Sequence, residues 1–242
     1  MGVIVLRIIT AFDVYYKKYI GCDEDNSTYV KSIYRDRPIN KNYYYPLIKS
    51  LYQNKTVISV SSQVYCEEYK SQSVDAIYSL SLKRLLSLYP KAVEKQFNRY
   101  SFGKDTITSS SSVHVLKDEH KDFFMRTGKN LDPVFKEKKW QELENNVKQQ
   151  NMFIEICDNK IVSSCKISDV YCDAANLYVF TDEKYRKRGF GKNVVSMAIK
   201  YCLNNNLLPI YFAETCNLSS IALATSLGFT LQSKEKCACV VR

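Results

Sequence analysis

The six residues Arg186-Lys187-Arg188-Gly189-Phe190-Gly191 constrain this chain more than any other stretch. They come after an apolar, strand-like run at 176–181 and precede a helix-like run at 192–204. In the latter, Val194, Val195, Ala198, Ile199, Cys202 and Leu203 share one stripe. A strand, a glycine-bearing turn and a helix start together suit a phosphate group. Glycine lets the backbone approach an anion closely, and the N–H groups of the first helical turn have no carbonyl of their own. Arg186, Lys187 and Arg188 add positive charge at the same point. The pattern is not a Rossmann fingerprint, which needs a third glycine and an acid about 20 residues on, and it lacks the Gly-Lys-Ser/Thr of a P-loop. The cargo it fits is a pyrophosphate on a soluble cofactor; the plainer alternative is a basic turn with a helix cap.

A second strand–helix unit comes directly after the first. An apolar run at 208–213 leads into Glu214-Thr215-Cys216-Asn217, then a short helix at 219–227 that stops at Gly228-Phe229. Glycine after the last helical residue is a common C-cap, and Asn217 or Ser219 suits the N-cap. Two strand–helix units in succession place ligand groups in a crevice at the carboxyl ends of neighbouring strands.

Three elements carry a family resemblance: Val179-x-Thr181, then Tyr185-Arg186-x-x-Gly189-x-Gly191, then Asn217 with Gly228-Phe229 eleven and twelve residues later. In this order the chain resembles the GNAT superfamily of acetyl-CoA-dependent N-acetyltransferases over roughly residues 113–242. The long Asp182-Glu183-Lys184 turn is similar to that of the zwittermicin-resistance-type subgroup, which carries an extra N-terminal region. The resemblance implies acetyl-CoA as co-substrate, no metal, and direct transfer of an acetyl group to a primary amine of a small molecule or peptide in a ternary complex. It implies that Val179, Phe180 and Thr181 offer a strand N–H to the acetyl carbonyl. Arg186, Lys187, Arg188, Gly189, Phe190, Gly191 and Lys192 would cradle the pyrophosphate, with Arg186 mainly organising the loop. Asn217 would meet the pantetheine arm, cap a helix, or do both.

The chain departs from the family at Ala224, where many relatives place a tyrosine that protonates the leaving thiolate. No general acid carries over; Ser220 and Tyr211 are substitutes, and Ser219 is a further polar neighbour. Glu214, ending a strand, is the first candidate base, ahead of Asp169 and Asp173. A competing reading from another class is a CoA-binding regulatory or sensor protein without turnover. The acceptor's identity stays open.

Composition sets the remaining bounds. The formal net charge of +10 is spread along the chain, and only 186–188 is dense, so a nucleic-acid partner is not expected. No segment reaches the 18 apolar residues that a membrane span needs. The apolar start at 1–9 is interrupted by Arg7 and reads as an N-terminal strand, not a signal peptide. The nine cysteines form no Cys-x-x-Cys and there are only two histidines, so zinc is not expected. The thiols read as small hydrophobes in a reduced, cytoplasmic protein, a monomer or homodimer.

A polar stretch at 106–112 marks a boundary. Residues 1–110 read as a smaller mixed domain, with a possible part in the acceptor site. Within it, 44–52 and 77–89 look helical and 56–65 strand-like, and Tyr43-Tyr44-Tyr45 reads as half-buried packing ahead of cleft lining. Residues 113–242 read as the acetyl-CoA-binding catalytic domain. They hold a strand at 113–116, helices at 122–126 and 136–150, a hairpin of 152–157 with 160–167 around Asp158-Asn159, and strands at 176–181, 208–213, 229–231 and 236–241. The sum is an α/β fold: a central mixed β-sheet flanked by helices, preceded by a smaller mixed N-terminal domain.

Overall fold

The computed structural model describes residues 2–22, 27–38, 43–127 and 131–241. Along the chain run α1 (Gly2–Ile20), β1 (Tyr29–Lys31), β2 (Tyr43–Tyr52), β3 (Lys55–Val60), α2 (Val74–Leu88), β4 (Val93–Phe102) and β5 (His114–Val115). Then come α3 (Lys121–Arg126), α4 (Pro133–Gln149), β6 (Met152–Cys157), β7 (Lys160–Tyr171), β8 (Ala174–Thr181), α5 (Phe190–Asn204), β9 (Leu208–Glu214), α6 (Leu218–Leu227) and β10 (Phe229–Val241). The expected α/β class, with a mixed β-sheet flanked by helices, is what is found. Two compact units emerge. The first is Met1–Gly103 with Phe212–Ala224 and Phe229–Arg242; the second is Lys104–Tyr211 with Thr225–Gly228. The units are therefore not consecutive lengths of chain.

In the first unit the strand order is β1-β3-β2-β10-β4. β1 lies parallel to β3 and the other pairs are antiparallel. β10 is hydrogen-bonded by β2 on one edge and β4 on the other, which draws the last residues into the unit built by the first hundred. Helix α2 covers one face, where Ile77, Tyr78 and Leu85 join Tyr29, Leu47, Ile58 and Val60 in one buried cluster. Helix α1 covers the other. Its Phe12, Tyr15, Tyr16, Tyr19 and Ile20 recur at helical spacing and are all buried. The Phe12 and Tyr16 rings meet Tyr52 at 5.3 and 4.4 Å, and the Tyr16 hydroxyl donates to Ser50 Oγ at 2.8 Å.

Beneath α1 lies a buried ion pair. Arg99 Nε and Nη2 donate to the two Glu235 oxygens at 2.8 and 3.0 Å, and Nη1 and Nη2 donate to the Tyr15 and Tyr19 hydroxyls at 2.9 and 2.8 Å. Burial works against the Arg99 charge, but Glu235 and the two phenols more than offset it and hold the proton well above the ordinary arginine range. Ser233 Oγ adds a donor to Glu235 at 3.0 Å, and the Phe212 ring lies 4.2 Å from the guanidinium.

Three expectations are corrected here. The N-terminal strand is the helix α1, because its aromatic stripe has period 3.6 and outweighs the short apolar start. The helix at 44–52 is the strand β2; it is paired on both edges and every side chain from Tyr44 to Ile48 is buried, so this part shows no alternation to read. The two short strands at 229–231 and 236–241 are one strand, β10, whose register shifts between Leu231 and Ser233. In the tyrosine run, Tyr44 and Tyr45 are buried packing and Tyr43 is 40% exposed.

In the second unit the order is β9-β8-β7-β6-β5, antiparallel except for β8 beside β9. The β6–β7 hairpin turns through Asp158 and Asn159, both at positive φ, as a two-residue hairpin loop requires. Alternate residues of β6 face opposite ways. Met152 and Ile154 pack with Trp140 of α4, while the Phe153 ring meets Tyr201 of α5 at 5.8 Å. Helices thus cover both faces, and Val194, Val195, Ala198, Ile199 and Cys202 of α5 are fully buried.

No helix among the described residues is long and apolar enough to cross a membrane. All nine cysteines are free thiols. Burial pushes Cys202 and Cys239 up to about 12 and raises Cys165 and Cys237 as well. Near the ordinary thiol pKa of about 8.5, a disulfide reagent should therefore modify exposed Cys216 in the native protein and these four only after unfolding. Modification of Cys165 or Cys237 as fast as Cys216, read by peptide mapping, would contradict this packing.

Candidate functional site

The basic loop lies in the second unit, between β8 and α5. β8 is paired along its length by β7, but β9 pairs with it only over Ala174–Asn176. Beyond Asn176, that edge carries no ladder bonds to β9, so the backbone groups of Val179 and the N–H of Thr181 are without a ladder partner there, while those of Phe180 face β7. Phe180 is 51% exposed. The end of β8 is pinned from the β7 side: Ser163 Oγ lies 2.9 Å from Thr181 Oγ1 and donates to the Phe180 carbonyl at 3.1 Å.

After Thr181 the chain makes one 3₁₀ turn, Glu183–Tyr185, capped by the Asp182 carboxylate on the Lys184 N–H at 3.0 Å. Arg186 folds back onto this turn, donating to the Thr181 carbonyl and to Glu183, each at 3.3 Å. Both bonds stay within its own loop. Tyr185 is buried and donates to Asp158 at 2.6 Å, a bond that holds the Asp158 carboxyl below the ordinary carboxylate range. The Arg188 guanidinium lies 5.3 Å from the Tyr185 ring and 5.2 Å from Phe190. Among the described residues no ion pair involves Lys187, Arg188 or Lys192, so their charge is available to an anion.

Gly189 sets the helix start. It takes φ +88° as the N-cap of α5, and it has no side chain to cap with. α5 therefore begins at Phe190, two residues ahead of the expected 192. The first intrahelical bond runs from the Asn193 N–H to the Gly189 carbonyl at 3.0 Å. The N–H groups of Phe190, Gly191 and Lys192 are left without a helical acceptor. A Cβ placed on Gly189 would meet nothing within 4 Å, so the space beside Gly189 is open. Amides, macrodipole and uncompensated cations together favour a polyanion here.

Of the remaining candidates, Glu214, Asn217, Ser219 and Ser220 belong to the first unit, and Asp169, Asp173 and Tyr211 to the second. Asn217 is the N-cap of α6: its Oδ1 accepts from Ser219 Oγ at 3.0 Å and from the Ser220 N–H at 3.1 Å. Its Nδ2 has no hydrogen bond among the described residues and faces solvent with an exposed side chain. Glu214 is held by Lys95 Nζ at 2.6 Å, with the Cys216 thiol 3.7 Å from its other oxygen. This bond raises the Lys95 ammonium above its ordinary range. Lys95 thus occupies one of the two Glu214 oxygens. Asp173 and Asp169 belong to the far end of the β7–β8 hairpin, at the opposite end of β8 from the basic loop. An eight-residue strand is about 25 Å long, which removes both as bases acting at the loop end. Tyr211 is buried.

Ala224 is fully buried, and its methyl offers no hydroxyl in place of the missing tyrosine's. Ala224→Tyr should overpack this site and lower stability by about 1–3 kcal/mol, read by urea unfolding. A variant as stable as the parent would mean the site is roomier than it stands here. Sequence reasoning missed Glu155 and Asn193. Asn193 Nδ2 donates to the buried Glu155 carboxylate at 2.7 Å; the one signal was an acid inside an otherwise apolar strand run. Among the described residues no group of three or more His, Cys, Asp or Glu is placed to hold a metal.

A strand edge left unpaired by β9, followed by a basic turn and a helix start with no side-chain cap, sits within this α/β fold. The chain belongs to the GNAT acetyltransferase family, whose model matches residues 63–237 and so begins well ahead of the region expected from the motifs. Over 99 residues it is 30% identical to the uncharacterized N-acetyltransferase YdfB of Bacillus subtilis (strain 168), covering 41% of this chain and 38% of that protein. Solved structures similar to it include an acetyltransferase of the GNAT family from Colwellia psychrerythraea, 13% identical with a TM-score of 0.49, covering 66% of this chain and 62% of that one. Another is a GCN5-related N-acetyltransferase-like protein from Streptococcus suis 89/1591, 19% identical with a TM-score of 0.45, covering 78% and 73%.

Proposed function

We infer that this chain is an N-acetyltransferase that binds acetyl-CoA and moves its acetyl group to a primary amine of a small molecule or peptide by direct transfer in a ternary complex. The observation that carries this reading is the start of α5, where three amides without a helical acceptor follow the exposed Gly189 and share the loop with Lys187, Arg188 and Lys192. The residues present fit the diphosphate of the co-substrate. Backbone groups on the free edge of β8, at Val179 and Thr181, lie one short turn away in sequence and suit the thioester carbonyl. A donor fixed there stabilises negative charge as it develops on that oxygen.

An alkyl amine has a pKa near 10.4, so it sheds a proton before it attacks. Glu214 is the proposed acceptor of that proton, and Ser220 a polar neighbour. Asn217 would offer Nδ2 to the pantetheine arm while Oδ1 keeps the helix cap. With alanine at 224, the thiolate leaves unprotonated or takes a proton from water. Holding amine and thioester together then supplies most of the rate.

A second reading, a CoA-binding sensor without turnover, is favoured by two observations: Ala224 at the tyrosine position and the Lys95 tie on Glu214. Two measurements separate the outcomes. Acetyl-CoA at about 100 times its Kd should add about 2.7 kcal/mol and raise the melting temperature by roughly 5–10 °C. No shift at about 1 mM would remove both readings. Release of free thiol over a panel of amines supports the enzyme, and tight binding with no release from any amine supports the sensor.

A further inference from the structure

We propose that Glu155 is a positioning residue for the diphosphate loop, acting through Asn193 on the start of α5. Its carboxylate is 3% exposed, on the face of β6 that α5 covers. Glu155 Oε1 accepts from Asn193 Nδ2 at 2.7 Å and from Ser112 Oγ at 2.8 Å, and no ion pair among the described residues reaches it. A buried carboxylate with neutral partners is costly to keep, and its place close to a helix N-terminus offsets part of that cost. Asn193 is the residue whose own N–H makes the first helical bond, to the Gly189 carbonyl. Fixing its side chain therefore fixes the peptide planes of Gly189 to Lys192 whose N–H groups meet the anion.

The same carboxylate heads a polar row across the sheet. Glu155 stands opposite Ser163, and Ser163 stands opposite Thr181. Ser163 Oγ meets both Thr181 Oγ1 and the Phe180 carbonyl. One cross-strand row thus runs from the first turn of α5 to the end of β8, the two sides of the basic loop. Charge is not what this role needs: an acceptor at Oε1 is. Glutamine can supply that acceptor, and alanine cannot.

The inference rests on the acetyl-CoA reading above. The test is a titration of acetyl-CoA into the full chain and its Glu155→Ala, Glu155→Gln and Asn193→Ala variants, with melting curves of each unliganded protein. Glu155→Ala and Asn193→Ala should each weaken binding roughly tenfold or more, and the double variant should lose little beyond either one. Glu155→Gln should stay within about threefold of the parent. Where turnover is measured, the effect should fall on KM for acetyl-CoA while kcat at saturation and KM for the amine hold. Parent binding with unchanged affinity in the alanine variants overturns this role alone. Equal loss in Glu155→Gln and Glu155→Ala, or additive losses in the double variant, also overturns it. A parent that binds no acetyl-CoA overturns the cofactor reading as well. Should Glu155→Ala fail to fold, Asn193→Ala tests the same contact from the partly exposed helix side.

Discussion

Glu235→Ala should lower the unfolding free energy by about 3–5 kcal/mol, a large share of the roughly 5–15 kcal/mol that a native protein commands. The reason lies in what is left behind. Arg99 is 4% exposed and keeps its charge, since the guanidinium does not deprotonate. Without Glu235 it loses the two charge-assisted bonds at 2.8 and 3.0 Å and keeps neutral partners, the hydroxyls of Tyr15 and Tyr19 and the Phe212 ring. The exposed Lys139–Glu142 pair, at the same 2.8 Å, should be worth under about 1 kcal/mol, because water screens it and both side chains remain mobile. Replacing both members of the buried pair together, as in Arg99→Met with Glu235→Leu, should recover most of the loss, because no unpaired charge then remains. Chemical denaturation of the four proteins measures this cycle. A Glu235→Ala variant within about 1 kcal/mol of the parent would show that the pair is not buried as described.

That ion pair also marks where the sequence stops being informative. Lys234-Glu235-Lys236 looks like a solvated interruption between two short apolar strands, yet Glu235 is among the most buried side chains of β10. What permits its burial is Arg99, 136 positions away, and no local pattern carries that distance. β2 is opaque for a related reason. From Tyr44 to Ile48 every side chain of β2 is buried, so this part shows no alternation, and a short buried run cannot be told from a buried helix by periodicity. The start of the chain misled in the opposite direction: residues 1–9 attract attention, while the helical signal lies in Phe12, Tyr15, Tyr16, Tyr19 and Ile20. The basic loop was legible because its determinants are local. Glycine at a positive φ, a cap, and a stripe that begins after it are all written within about twenty residues. α5 still starts two residues early, since Gly189 itself serves as the cap. Glu155 was invisible because its meaning depends on Asn193 and Ser163, which only the fold brings beside it.

The locality of the loop makes Gly189 the sharpest point at which to test it. Gly189→Val should reduce acetyl-CoA affinity by a factor of about 100 or more. Valine is β-branched and φ +88° is a conformation it rarely adopts, at a strain of roughly 1–3 kcal/mol. The space beside the Cβ is open, so no clash forces the fold apart, and the strain is relieved by turning the peptide out of the left-handed region. That turn re-aims the N–H groups of Phe190 and Gly191. Each bond to an anion is worth about 1.5–3 kcal/mol, so losing two accounts for the drop in affinity. The stability cost should stay near the strain itself, with an intact unfolding transition. Gly189→Asn is the counterpart. Asparagine tolerates the left-handed conformation, so this variant should keep most of the parent's stability and lose less affinity than valine. Isothermal titration beside urea unfolding separates the two effects. If Gly189→Val bound acetyl-CoA as tightly as the parent, the diphosphate would have to sit elsewhere, and the start of α5 would be no more than a helix cap.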